Sequence, residues 1–176
     1  MSESITITST ATTSLVAARL AIGTSVAVLV LLAILHFLSP EFNPAWRMVS
    51  EYANGQYAWV LSLMFFLWGA GSWALAYVLL PHLQTTMGKI GLLFLVVAGI
   101  GEAMAAVFDI NHKLHSLSAM IGIPGLSIAA MLISVALVRT QPWSIARTSL
   151  LWTANLTWVS ILLMGIAFAI MMATYA

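Results

Sequence analysis

Residues 90–109 read IGLLFLVVAGIGEAMAAVFD. Apart from Glu102 and Asp109, every position in this run is apolar or small. A helix crosses the hydrocarbon core of a bilayer with roughly 20 such residues, so the run has the length of a membrane span. Lipid offers no water to backbone N–H and C=O groups, and a helix satisfies them within one segment. A membrane-crossing β-strand would be about half as long and would alternate in polarity. The run therefore reads as a transmembrane helix that carries a carboxylate inside it.

Working outward, four further runs have the same character: residues 15–38, 57–80, 115–138 and 149–172. The 176-residue chain is 62% hydrophobic and 6% charged, and its mean hydropathy is +1.04. The expected fold is all-α, an integral membrane bundle of five transmembrane helices. A single helical domain over 15–176 follows a disordered polar tail over 1–14. The tail, MSESITITSTATTS, has no basic residue, and HFLSPEF after the first run lacks a small-x-small cleavage pattern. The first run is therefore expected to be a retained helix. A net charge of +1 gives no reason to expect a nucleic-acid partner. The absence of cysteine excludes disulfides, thiolate metal sites and cysteine nucleophiles. No CxxC, P-loop or dinucleotide fingerprint occurs.

Five spans place the termini on opposite sides. Arg19, Lys89, Arg139 and Arg147 fall on the N-terminal side, Arg47 and Lys113 on the other. Cytoplasmic loops carry the excess of Lys and Arg, so the N-terminus is expected in the cytoplasm and the C-terminus outside it. The expected location is the cell membrane. Glu41, Glu51, Glu102 and Asp109 lie on or near the second side, with His36, His112 and His115. A polar cluster is therefore expected at the outer end.

An intramembrane charge costs about 2.5–3.5 kcal/mol on insertion scales, so Glu102 should face protein or water. At about 100° per residue, Gly91, Leu95, Ala98, Glu102, Ala105 and Asp109 fall on one stripe. Leu93, Val96, Ile100, Met104 and Val107 fall opposite. Small residues let helices approach closely, so the small stripe should face the bundle and the bulky one lipid. The simplest role for Glu102 is a hydrogen bond to a neighbouring helix, for example to a serine. A functional role stands beside it.

The first outer loop reads SPEFNPAWRMVSEYANGQ over 39–56. Asn43 suits a helix cap and Pro44 a first position, while Asn54-Gly55 suits an end. A short helix near 44–53 should lie at the membrane surface, with Arg47 and Glu51 paired at i, i+4. Trp46, Tyr52, Tyr57 and Trp59 fit an interfacial aromatic belt.

The stretch ILHFLSPEFNPAWRMVSEYANGQYAWVLSLMFFLWGAGSWALA resembles the first half of a bacterial membrane family catalogued as domain of unknown function 998. His36, Val49, Ser50, Glu51, Tyr52, Ala53 and Gly55 match its pattern. Phe108 and Asp109 match the ends of a later F-P-x-D element, and Leu114 and His115 an L-H pair. The resemblance spans most of 25–140, and its most specific part is the SEYA block. Two features depart from it. The Phe-to-Asp spacing and the loop that follows are short. Similar proteins also carry a sixth helix after a G-x-x-Q-R element, whereas five are counted here. The resemblance implies a shortened member, or a sixth helix supplied by a helical partner or a homo-oligomer. It implies no established activity.

Three kinds of function fit the outer cluster. The first is a structural or lipid- or partner-binding role, since histidines and acids at helix ends often cap or pair. The second is a metal-dependent membrane hydrolase acting on a lipid or amide. His36, Asp109, His112 and His115 are then the metal candidates, and two imidazoles with one or two carboxylates suit zinc. This reading puts His112 in the first turn of the fourth helix, on one face with His115 and Ser116. Ser50, Glu51, Asp109 and His115 are the catalytic candidates, including a Ser50–His115–Asp109 triad. No HExxH or similar motif supports it. The third is proton-linked transport through Glu102, with Pro124 between Gly122 and Gly125 as a possible kink in the fourth helix. Asp109 and His115 are expected to approach each other, with Glu102 beneath them.

Overall fold

The structure, a computed structural model, describes residues 2–45 and 47–175. Trp46, one of the expected belt aromatics, lies outside the described residues. Five long helices follow in order: α1 (Ser2–Leu38), α2 (Ala58–Leu79), α3 (Thr86–Val107), α4 (His115–Leu137) and α5 (Arg147–Tyr175). Short 3-10 helices occupy Val49–Asn54, Leu80–His82 and Trp143–Ala146. No strand occurs among the described residues. Five stretches are long and apolar enough to cross a membrane: Ser14–Leu38, Ala58–His82, Thr86–Val107, His115–Leu137 and Trp143–Thr174.

Consecutive helices pack on one another, α3 on α4 most extensively. Short connections between neighbours make the bundle run up and down. The N-terminus and the α2–α3 and α4–α5 loops thus share one end, here the basic end. Residues 39–57 and 108–114 share the other, here the polar end.

Close helix approach comes from glycine at the crossing points. A Cβ on Gly101 of α3 would lie 2.6 Å from the Gly122 nitrogen and 2.8 Å from the Ser118 carbonyl oxygen of α4. A Cβ on Gly69 of α2 would meet the Gly99 carbonyl oxygen of α3 at 2.7 Å. Where lipid tails are as apolar as leucine, such packing replaces the hydrophobic effect as the force between helices. The Trp73 indole N–H of α2 donates to the Val96 carbonyl of α3 at 3.1 Å, an added tie at this crossing. Helix α4 stays continuous through Pro124.

Much of the expected α3 stripe is inside. Gly91, Leu95, Ala98 and Glu102 are buried, while Leu93, Val96, Ile100 and Val107 are exposed. Ala105 and Met104 are both half-buried. Asp109 leaves the stripe, because α3 ends at Val107 and Phe108 turns extended at φ −103°, ψ 99°. One core lies toward the basic end, around Leu79, Leu83, Leu95 and Ile133. A second lies toward the polar end, around Leu35, Tyr52, Val60 and Met64.

Candidate functional site at the polar end

Residues 39–57 fold back over the bundle. Asn43 accepts from the Ala45 N–H at 2.9 Å, and the Arg47 N–H donates to the Asn43 carbonyl at 3.0 Å. The cap therefore starts a turn rather than a helix. The short helix sits later than the 44–53 expected and is a 3-10 helix, Val49–Asn54. Its start is set by Glu51, whose Oε1 accepts from the Met48 N–H at 3.0 Å. Its other oxygen accepts from Arg47 Nη1 at 2.9 Å, so the expected pair forms and both carboxylate oxygens are used.

Val49, Tyr52 and Ala53 turn inward onto the core that holds Leu35 and Met64. Tyr52 is 1% exposed and is thus a plug rather than a belt residue. Its ring meets Phe42 edge-on at 5.4 Å between centroids. Its hydroxyl donates to the Phe42 carbonyl at 3.1 Å, which leaves its lone pairs to accept from His36 Nδ1–H at 2.5 Å. Burial, and to a smaller extent the nearby Glu41 carboxylate, hold the Tyr52 phenol above the ordinary tyrosine value, so it stays neutral. His36, on the last turn of α1, gives its Nδ1–H to this bond. Ser39, next along, is wholly buried with no partner for its hydroxyl, and nothing in the packing explains it.

The α3–α4 connection is tied down as tightly. Helix α4 begins at His115, so His112 lies in the loop and not on a helical face with His115 and Ser116. His112 stacks on Phe108 at 4.6 Å, and its Nδ1 accepts from the Leu114 N–H at 3.1 Å. His115 Nδ1–H donates to the Phe108 carbonyl at 2.8 Å. Asp109 is exposed and accepts from the Asn111 N–H at 2.9 Å. Asp109 and His115 make no direct ion pair or hydrogen bond with each other among the described residues. The physical reason is that each has a backbone partner within reach, Asp109 the Asn111 N–H two positions on and His115 the Phe108 carbonyl at the turn out of α3. Asn111 then donates to Asn54 Oδ1 at 2.9 Å and joins this connection to the first loop.

Among the described residues, no three His, Asp or Glu side chains stand close enough to hold one metal ion. His36 faces Tyr52, His112 and His115 each face their own loop backbone, and Asp109 faces Asn111. Ser50 is half-buried and makes no hydrogen bond to His115. The proposed triad and the zinc set are thus not assembled in this arrangement.

Glu102 lies within the span. It is 6% exposed, and Ser72 of α2 donates to its Oε2 at 2.8 Å. The neighbouring-helix serine is thus Ser72.

The protein-family model described as "Protein of unknown function (DUF998)" matches residues 21–176. The chain belongs to that family. Neither the curated proteins nor the solved structures gave a match to it. In this DUF998 protein the SEYA block, Ser50–Ala53, is the plugging helix, with Glu51 holding its start and Tyr52 its seat. Sequence reasoning gave Tyr52 to the interface, expected a serine partner for Glu102 without singling out Ser72, and missed the Asn54–Asn111 bridge. The signal for Tyr52 was its spacing from Val49, which gives the short helix an apolar face opposite Ser50. No signal pointed to the bridge, whose partners lie 57 positions apart.

Proposed function

We propose that this protein is a non-catalytic multi-pass membrane protein, that its polar end is a structural cap, and that it works by binding lipid or a partner helix through its membrane-embedded surface. One observation carries this reading. His36, Glu51, Asp109, His112 and His115 each bond to a partner within the polar end, several to backbone groups. These bonds leave Nε2 of His36 and His115 free, but a ligand set or catalytic triad also needs its free lone pairs aimed at one point, and among the described residues no three His, Asp or Glu side chains stand close enough to hold one ion. The N-terminus is cytoplasmic in this reading, the basic end faces the cytoplasm, and the membrane is the cell membrane.

The test is elemental analysis of protein purified from membranes, with thermal melting of the His36→Ala and His115→Ala variants. The cap reading expects sub-stoichiometric zinc and lower melting temperatures in both variants. Stoichiometric zinc that both variants lose would replace it with the metal-dependent hydrolase.

A second reading is proton-linked transport, and the buried Ser72–Glu102 pair favours it. It expects pH-driven proton uptake in vesicles that Glu102→Gln abolishes. Equal uptake by the variant would remove it.

A further inference from the structure

Helix α5 is the least covered element. Its apolar stretch has no buried residue in the most hydropathic window, and α4 is the long helix it packs on. Its inward contacts run along Leu150, Ala154, Thr157 and Ile161, of which Ala154 is buried and the rest half-buried. Asn155 follows Ala154, so it projects about 100° round the helix from that contact. It is exposed. It lies eight residues beyond Arg147, roughly 12 Å along the axis, which puts it well inside a hydrocarbon core about 30 Å thick.

An amide there is poorly placed. Asn155 Nδ2 donates to the Leu151 carbonyl of its own helix at 2.7 Å. Its second N–H and its Oδ1 have no partner among the described residues. A polar group in lipid without a partner is expensive, and interhelical hydrogen bonds are the usual remedy. The spacing around it has a direction. Leu151, Asn155, Trp158, Leu162, Gly165 and Ala169 recur at alternating intervals of four and three, the a/d seam of a left-handed helix pair. Asn155 takes an a position, where a single asparagine sets register in two-stranded coiled coils. Leu162 is 63% exposed, and a Cβ added at Gly165 would meet nothing within 4 Å, so the seam is open.

We infer that α5 is a homodimerisation helix: two copies of this chain pair along this seam, with the Asn155 side chains hydrogen-bonded to each other across a two-fold axis normal to the membrane. The occupant is a second copy because the amide is self-complementary. Each Asn155 has a free donor and a free acceptor. Two copies inserted the same way hold them at the same depth, as an isologous interface requires. This names the partner within the binding reading above, and it does not depend on the polar end being a cap.

The native chain has no cysteine, so single cysteines report cleanly. Leu162 and Leu163 have almost equal exposure, 63% and 62%, but lie about 100° apart around α5. Leu162→Cys and Leu163→Cys are each oxidised in native membranes, alone and combined with Asn155→Leu. Leu162→Cys should give a disulfide product of twice the chain mass, at least about tenfold more than Leu163→Cys. Asn155→Leu should reduce that product several-fold without changing protein level or melting temperature. Equal cross-linking at both positions, none at either, no effect of Asn155→Leu, or a product of another mass would each overturn the inference. Zinc content has no bearing on these outcomes, so failure here is distinguishable from failure of the cap reading.

Discussion

Tyr52 holds the polar end in place through one hydroxyl, shared between His36 and the Phe42 carbonyl. Tyr52→Phe keeps the ring and removes both bonds, leaving two polar groups without their partner. It should lower stability by about 1–3 kcal/mol, read from thermal or denaturant unfolding in detergent. The titration has a definite sign. The phenol's folded value is raised, so its contribution is intact below the ordinary tyrosine value of 10.0 and is lost as pH rises through and beyond it. The melting temperature should fall more steeply above about pH 10 in the native protein than in Tyr52→Phe. Parallel curves would show that the phenol is not titrating against the fold. Asp109 differs, because its acceptor role needs no charge. Asn in its place still accepts from the Asn111 N–H, so Asp109→Asn should change stability by less than about 0.5 kcal/mol. Asp109→Ala should cost about 1 kcal/mol. A large loss in Asp109→Asn would restore an ionic role, for example toward His115.

Among the elements, the α3–α4 pair depends on backbone proximity. A methyl at Gly101 would sit inside contact distance of three α4 backbone atoms, which cannot rotate away. Gly101→Ala should therefore force the helices apart and cost about 1–3 kcal/mol or more. Gly23→Ala in α1 meets nothing within 4 Å and should be neutral or stabilising by up to about 1 kcal/mol through helix propensity. Comparing the two melting temperatures isolates helix contact from propensity, and a Gly101→Ala variant as stable as the native protein would deny the close approach. The spans were legible because apolar length is a local property: 57–80 and 115–138 became α2, Ala58–Leu79, and α4, His115–Leu137. The short helix was legible as an element but not in its bounds. Asn43-Pro44 is a strong start signal, yet Glu51 reaching back to Met48 decides where the helix begins. His112 was misplaced for a similar reason, since its ring caps a turn in the loop rather than joining α4.

For the molecule as a whole, the proposed orientation rests on charge, with Arg19, Lys89, Arg139 and Arg147 toward the N-terminal side. A reporter fused after Ala176 should be active outside the cytoplasm, and one in the 83–85 loop inside it. The reverse pattern would invert the bundle. Composition and run length by themselves determined the helical class, the number of spans and the inward face around Glu102, because lipid permits only internally bonded backbone and penalises exposed charge. Tertiary structure alone decided what the polar residues do. Hydrogen bonds reach only about 3 Å, and which partner lies that close depends on how the chain folds back. Ser72 meets Glu102 across 30 positions, and Asn54 meets Asn111 across 57. His115 instead takes the carbonyl of Phe108 rather than the carboxylate of Asp109.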